Sequence, residues 1–198
     1  MKPKGWLILL GVFFFLVNIG GLICLYRLGY EFTTQNWIVA GGVLFALLGW
    51  VVTAFVSLHN SIKQHTINVL LQSRLSTAFQ ERYKQLTVEF CPRPKEIRKV
   101  TLQDISNPEK RDALSGLQYF LNYYEFIAVG LKQGDLDEKL LKECVSGIVS
   151  RLYDISEEYI KHVRGINSKG KPEDPTLYEY FIELHKKWCI NDGAPLDV

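Results

Sequence analysis

Two long uncharged runs near the amino terminus set the strongest limit on how this chain can fold. Residues 5–26 and residues 37–58 each contain 22 residues without a formal charge. A helix rises about 1.5 Å per residue, so each run can cross a hydrocarbon core of ~30 Å. After residue 58 the chain carries 20 Lys and Arg and 20 Asp and Glu in 140 residues, a composition suited to water. The sequence predicts a two-helix transmembrane hairpin at residues 1–58 and a cytoplasmic domain at residues 59–198.

A cleaved signal peptide is the alternative interpretation of the first run, because Lys2 and Lys4 precede it. The run is longer than the ~7–15 residues of a signal-peptide core, and no small-x-small cleavage site follows it. The residue before Cys24 is not one of the small residues expected before a lipidated cysteine. A second run after only ten residues favours the hairpin.

The cations that flank the two runs predict their orientation. Lys2 and Lys4 precede the first run, whereas the connecting segment carries only Arg27, countered by Glu31. Four further cations follow the second run: Lys63, Arg74, Arg82 and Lys84. Because cytoplasmic loops carry an excess of Lys and Arg, we expect both termini in the cytoplasm.

Four residues inside the runs are candidates for contacts between helices. Gly42, Ala46 and Gly49 in the second run are small enough to let another helix approach closely. Asn18 in the first run places a carboxamide in hydrocarbon, where it bonds a neighbouring helix or contacts water. We predict that these four residues form a surface for intramembrane association or a pore. A bond between Asn18 and its own hairpin is the open alternative.

Apolar spacing after residue 58 predicts helices throughout the domain. The second run is expected to continue as one helix to Phe90, where Pro92 and Pro94 stop it. The remaining boundaries are predicted by caps and breakers: Asn107 and Pro108, Gly134, Asp135 or Asp137, Gly165, and Asp174 with Pro175. In the helix after Asp137 the inward face is predicted to contain Leu141, Cys144, Val145, Ile148, Leu152, Ile155 and Tyr159. Because no stretch alternates with period two, the predicted fold class is all-α, a helical bundle behind the hairpin.

The membrane-proximal half of the domain is basic. Residues 59–111 hold ten Lys and Arg against five Asp and Glu. Arg93, Lys95, Arg98 and Lys99 in the connection after Pro92 are candidate contacts for anionic lipid, at about 1 kcal/mol per cation, or for a partner. The aromatic–basic interleaving of a stacking platform is not evident. Lipid is therefore favoured over nucleic acid, and direct nucleic-acid binding stays open.

Patterns of catalytic chemistry are scarce in this sequence. It has no glycine-rich phosphate loop, no GxSxG and no HExxH. His185 and Cys189 lie four residues apart and could supply two metal ligands, but a surface histidine beside a buried cysteine is the favoured interpretation. Glu125 is expected to be half-buried with Arg151 as its partner. We predict no enzyme activity, no metal and no cofactor.

The stretch LQYFLNYYEFIAVGLKQGDLDEKLLKECV, residues 117–145, resembles a bacterial family of mostly helical proteins with one or two amino-terminal spans. Its pattern is an aromatic-rich FLNxxExIAxG helix, an acidic GDLDE turn and a second helix, and the likeness covers about residues 59–190. The matched residues are mainly core and cap positions, so this resemblance implies a fold and no activity.

The plan of two spans and a small cytoplasmic domain also resembles the two-transmembrane effector of retron antiviral defence systems. In those systems a reverse transcriptase and its RNA–DNA product guard the cell, and the membrane partner kills the cell when infection is sensed. The resemblance implies an effector of abortive infection in the bacterial inner membrane, released from a reverse transcriptase–nucleic acid complex to self-associate and permeabilise the lipid. A passive anchor or scaffold that localises a cytoplasmic partner is the alternative.

Overall fold

The chain is all-α over residues 3–29, 31, 33–91, 96–165 and 172–190, the residues that the computed structural model describes. Its α-helices are α1 (Pro3–Arg27), α2 (Thr34–Leu75), α3 (Thr77–Phe90), α4 (Leu102–Ser106), α5 (Arg111–Gln133), α6 (Glu138–Val163) and α7 (Glu179–His185). None of these described residues lies in a β-strand. The predicted fold class is confirmed.

The chain divides into two compact units, here called the hairpin unit (Met1–Gln64) and the C-terminal unit (His65–Val198). The hairpin unit contains α1 and the apolar part of α2. Both helices are long and apolar enough to cross a membrane, and an 18-residue stretch of each has a mean hydropathy of 2.3. None of the residues in those two stretches is buried. The domain boundary predicted at residue 58 is not an end of secondary structure, because α2 continues to Leu75.

The long helix predicted to reach Phe90 is interrupted at Ser76. Ser76 has extended backbone angles (φ −71°, ψ 126°), and its hydroxyl accepts a hydrogen bond from the N–H of Phe79. A serine with this geometry is an N-cap, since its side chain satisfies an N–H group that the new helix leaves without a partner. The prediction of one uninterrupted helix is therefore wrong beyond Leu75, and α3 is a separate helix.

The core of the C-terminal unit forms around α5, which contacts both α3 and α6. Gly116 on α5 lies so close to α3 that a Cβ atom there would be 2.8 Å from the carbonyl oxygen of Arg82. Leu117, Leu121 and Leu141 are fully buried. Apolar side chains from the three helices thus share one interior, which is the main source of stability for a helical bundle.

The buried face of α6 is rotated from the predicted one. Cys144 and Ile148 were expected inside but are exposed, while Val149, Ser156 and Ile160 are buried. The other predicted inward positions of this helix are buried: Leu141, Val145, Leu152, Ile155 and Tyr159. Helical spacing alone left both edges of the apolar face ambiguous, and the packing of α6 decided which edge is covered.

The caps of the central helices are as predicted. Asn107 caps a 3₁₀ turn, Pro108–Lys110, that leads into α5. Gly134 follows α5 with φ 86°, a left-handed conformation that favours glycine. Of the two proposed starts of α6, Asp137 is the N-cap and accepts from the N–H of Leu140. Gly165 ends α6 with φ 60°.

The last helix begins later than predicted. Asp174 accepts a hydrogen bond from the N–H of Thr176, but α7 begins only at Glu179, after Tyr178 with a φ of 58°. The guanidinium of Arg164 binds the carbonyl oxygens of Asp174 and Pro175, which holds this segment out of helical geometry. After α7 the chain forms a π-helix, Lys186–Ile190.

Candidate functional site

One glycine makes a close contact between the two apolar helices. A Cβ atom at Gly11 of α1 would lie 3.1 Å from a methyl group of Val51 on α2. The side chains around this contact belong to Phe14, Phe15, Leu47, Leu48 and Trp50. Sequence reasoning missed Gly11, although it has the same small size as the glycines that were selected.

The small residues predicted for helix association lie away from that contact. Gly42, Ala46 and Gly49 are exposed and, at spacings of four and three residues, lie on one face of α2. Among the described residues, a Cβ atom at Gly42 or Gly49 would have no atom of another helix within 4 Å. The hairpin unit therefore does not use these glycines for its own packing, and their face stays open to another helix.

Asn18 is bonded to its own helix. Its side-chain amide nitrogen donates to the carbonyl oxygen of Phe14, 2.9 Å away. The Thr53 hydroxyl on α2 likewise donates to the carbonyl oxygen of Gly49, at 2.8 Å. A bond of this kind satisfies part of a polar side chain where water is absent, but a carboxamide has two donor hydrogens and an acceptor oxygen. Association through Asn18 stays a prediction.

The predicted basic contact residues divide into two pairs. Arg93 and Lys95 lie outside the described residues. The side chain of Lys99 is 61% exposed, and its ammonium group lies 3.4 Å from a carboxylate oxygen of Glu157. Arg98 is directed into the C-terminal unit. Contact of these residues with lipid or a partner stays a prediction.

Arg98 belongs to a cluster of four charged side chains that sequence reasoning missed. Its guanidinium makes two hydrogen bonds to the Asp104 carboxylate, at 2.7 and 2.9 Å, and one to Glu89 at 3.0 Å. Lys110 lies 2.7 Å from Asp104 and 2.8 Å from Glu89. The guanidinium carbon also lies 5.3 Å from the centre of the Phe90 ring. Two cations and two carboxylates thus join the end of α3 to α4 and the 3₁₀ turn.

Asp104 is the centre of this cluster and is only 4% exposed. Burial opposes the charged form, but Lys110, the N–H and hydroxyl of Thr101, and Arg98 outweigh it and lower the pKa of Asp104 to about 2. Thr101 and Asp104 also form a capping box at the start of α4. The TxxD spacing was the signal in the sequence that could have located this site.

Glu125 does not pair with Arg151, so that prediction is wrong. Its carboxylate accepts hydrogen bonds from the N–H groups of Phe181, at 2.6 Å, and Tyr180, at 3.3 Å. Burial raises the pKa of Glu125, and these two bonds partly offset the effect. Glu125 of α5 therefore caps the start of α7. This role has no signal in the sequence, because Glu125 and Tyr180 are 55 residues apart.

His185 is buried, contrary to the expectation of a surface histidine, and Cys189 is half-buried. The His185 ring stacks on Tyr153, with ring centres 3.9 Å apart and an angle of 7° between planes. Within the part of the chain that the structure describes, no three His, Cys, Asp or Glu side chains form a metal-binding group.

Comparison with known proteins places most of this chain in one family. The model of a family described as a domain of unknown function (DUF4760) matches residues 36–188. The match covers more than half of the chain, from the third residue of α2 into the π-helix. Neither the curated proteins nor the solved structures give a significant match.

Proposed function

We propose that this chain, which belongs to the DUF4760 family, is a membrane effector of a bacterial antiviral defence system. In this proposal a partner complex holds the protein inactive, and release of the protein leads to damage of the inner membrane and abortive infection. The plan of two apolar helices and a helical domain supports it through its resemblance to the membrane effectors of retron systems.

The observation that carries the proposal is the open face of α2. Gly42, Ala46 and Gly49 are exposed, and the helix contact inside the hairpin unit occurs elsewhere, at Gly11 and Val51. Lipid gives apolar side chains no reason to associate, so close backbone approach at small residues is one of the few sources of attraction between membrane helices. A face of small residues that the hairpin leaves open fits association with another copy.

The proposal includes an orientation and two partners. Both termini lie in the cytoplasm, following the Lys and Arg bias, and the basic residues near the membrane contact anionic lipid. The partner that restrains the protein is a reverse transcriptase–nucleic acid complex, as the resemblance implies, and it binds the C-terminal unit. Released copies associate through α2, with Asn18 bridging hairpins or facing water.

A passive membrane anchor or scaffold is the second candidate function. It is favoured by the hydrogen bond between Asn18 and the carbonyl oxygen of Phe14. A carboxamide that is partly satisfied on its own helix gains less from a hydrogen bond to another helix. An anchor needs the two apolar helices and the C-terminal unit, but it does not need an association face.

Expression of the full chain without its partner, with membrane depolarisation followed by a voltage-sensitive dye, separates the two functions. The test variants are Gly49→Ile and Asn18→Leu. We expect both to insert at the parent level and to slow depolarisation by about three- to thirtyfold, which corresponds to 0.6–2 kcal/mol per interhelical contact.

The matched controls are Phe55→Leu, six residues after Gly49 and so on a different face of α2, and Val17→Leu, beside Asn18; both are exposed positions of the same helices. We expect the two controls to depolarise like the parent. A parent chain that inserts fully without depolarising cells supports the anchor function. Test variants as fast as the parent would show that this face takes no part in the damage.

A further inference from the structure

His185 ends α7 in a surrounding that suits only a neutral imidazole. The residue is 7% exposed, and its Nδ1 atom is buried without a hydrogen-bond partner among the described residues. Its ring stacks on Tyr153 of α6. A buried polar atom without a partner is costly, and it is most costly when it carries part of a charge. The site therefore tolerates the neutral ring and disfavours the imidazolium.

The charged groups of α6 that face His185 are two carboxylates. Asp154 and Glu157 both favour the protonated imidazole electrostatically. Glu157 is already bound by the ammonium groups of Lys99, at 3.4 Å, and Lys161, at 2.9 Å. Much of its negative charge is thereby compensated, which leaves Asp154 as the main group that opposes loss of the proton.

Several titratable groups of α5 and of the segment around His185 are engaged with other partners. Glu125 of α5 binds the N–H groups at the start of α7, and Lys132 lies 3.9 Å from Glu183 and 4.3 Å from the centre of the Tyr180 ring. Lys187 pairs with Glu138 of α6. Cys189 is half-buried one turn after His185, and burial raises the pKa of its thiol, so it stays neutral.

We propose that His185 is a pH-sensitive latch, which holds α7 and the following π-helix against α6 while neutral and weakens this docking when protonated. A protonated ring has N–H groups on both nitrogens, and the one on Nδ1 would be enclosed without an acceptor. The docked segment buries Phe181, Leu184 and Trp188, so its release exposes an apolar surface of the C-terminal unit. The latch does not depend on the proposed membrane function.

The direction of the pH effect follows from the protonation equilibria. Burial lowers the pKa of His185 below its ordinary value of 6.5, against the pull of Asp154 and Glu157. The undocked state then binds more protons than the docked state as the pH falls, so docking weakens below about pH 6.5. Glu125 acts in the opposite direction, because its raised pKa favours the protonated, docked form at low pH. A variant at position 185 separates the two contributions.

The experiment is hydrogen–deuterium exchange of the full chain in detergent micelles, read by mass spectrometry on peptides from α7 and the π-helix. Protection is compared at about pH 7.5 and about pH 5.5, the range in which histidine charges, after correction for intrinsic exchange. We expect protection in these peptides to fall about threefold or more in the parent at the lower pH. Peptides from the middle of α5 should keep their protection.

Two replacements and one control test the assignment. His185→Phe keeps a flat ring on Tyr153, and His185→Gln keeps a polar side chain; neither can be protonated. Whichever folds should lose the fall in protection, while His162→Phe, at an exposed histidine of α6, should keep it. Equal protection of the parent at both pH values would overturn the latch. So would a fall of the same size in a folded His185 variant.

Discussion

The two units of this protein place the same kind of side chain in opposite surroundings. Phe45 of the hairpin unit is 78% exposed, whereas Phe181 of the C-terminal unit is completely buried. Burial of a large apolar side chain contributes about 1.5–3 kcal/mol in water. The hairpin unit forgoes this contribution at most of its apolar positions. Apolar side chains this exposed would gain from an apolar surrounding beyond the described residues, such as lipid or other helices.

Glycines show the same difference between the units. In the C-terminal unit Gly116 lets α3 and α5 approach until the backbone of Arg82 fills the place of a side chain. In the hairpin unit Gly42 and Gly49 face open space, whereas Gly11 lies close to Val51. A glycine in a helix costs up to about 1 kcal/mol relative to alanine. At Gly116 the close packing of α3 offsets this cost. At the open glycines the cost is offset only if another helix packs on them.

Truncation of one phenylalanine in each unit should give the largest difference in stability between the two units. We expect Phe181→Ala to lower the free energy of unfolding by about 3–5 kcal/mol, because it removes a buried ring and leaves a cavity. Phe45→Ala should change the unfolding of the C-terminal unit by less than about 0.5 kcal/mol. Urea denaturation of the full chain in micelles, followed by circular dichroism, measures both. Similar losses in the two variants would mean that the units are not separately stabilised.

Alanine substitutions at two glycines of the C-terminal unit compare a closely packed position with an open one. Gly116→Ala should destabilise by up to about 3 kcal/mol, because its methyl group would lie against the rigid carbonyl of Arg82. Gly147→Ala on α6 is the matched control, since a Cβ atom there meets nothing within 4 Å. The control should be neutral or should stabilise by about 0.5–1 kcal/mol. The shift in melting temperature decides, and a stabilised Gly116→Ala would show that α3 is not closely packed on α5.

Removal of one buried charge tests how the C-terminal unit stabilises charged side chains in its interior. The pKa of Asp104 is lowered from 3.8 to about 2, so its charge contributes about 2 kcal/mol at neutral pH. Because the folded pKa is the lower one, this contribution is complete above about pH 4 and is lost as the pH falls through about 2. Asp104→Asn should lose it at pH 7, and the difference from the parent should shrink in acid.

The control for that prediction is Glu143→Gln, an exposed carboxylate on α6, for which we expect a change within about 0.5 kcal/mol. Denaturation midpoints at neutral pH and in acid provide the measurement. An Asp104→Asn variant as stable as the parent at pH 7 would mean that Arg98 and Lys110 are well solvated without it.

Features that depend on neighbouring residues along the chain could be predicted from the sequence. Run length and the absence of charge identified the two apolar helices, and local caps such as Gly134 and Asp137 located the ends of α5 and α6, because each acts within one turn of its own helix. The contacts between residues distant in sequence became clear from the tertiary structure alone. Arg164 binds the segment before α7 in a non-helical conformation, and Glu125 of α5 caps that helix. Packing buries His185 and determines which face of α6 is covered. These effects depend on which side chains meet across the fold, and helical spacing does not encode such meetings.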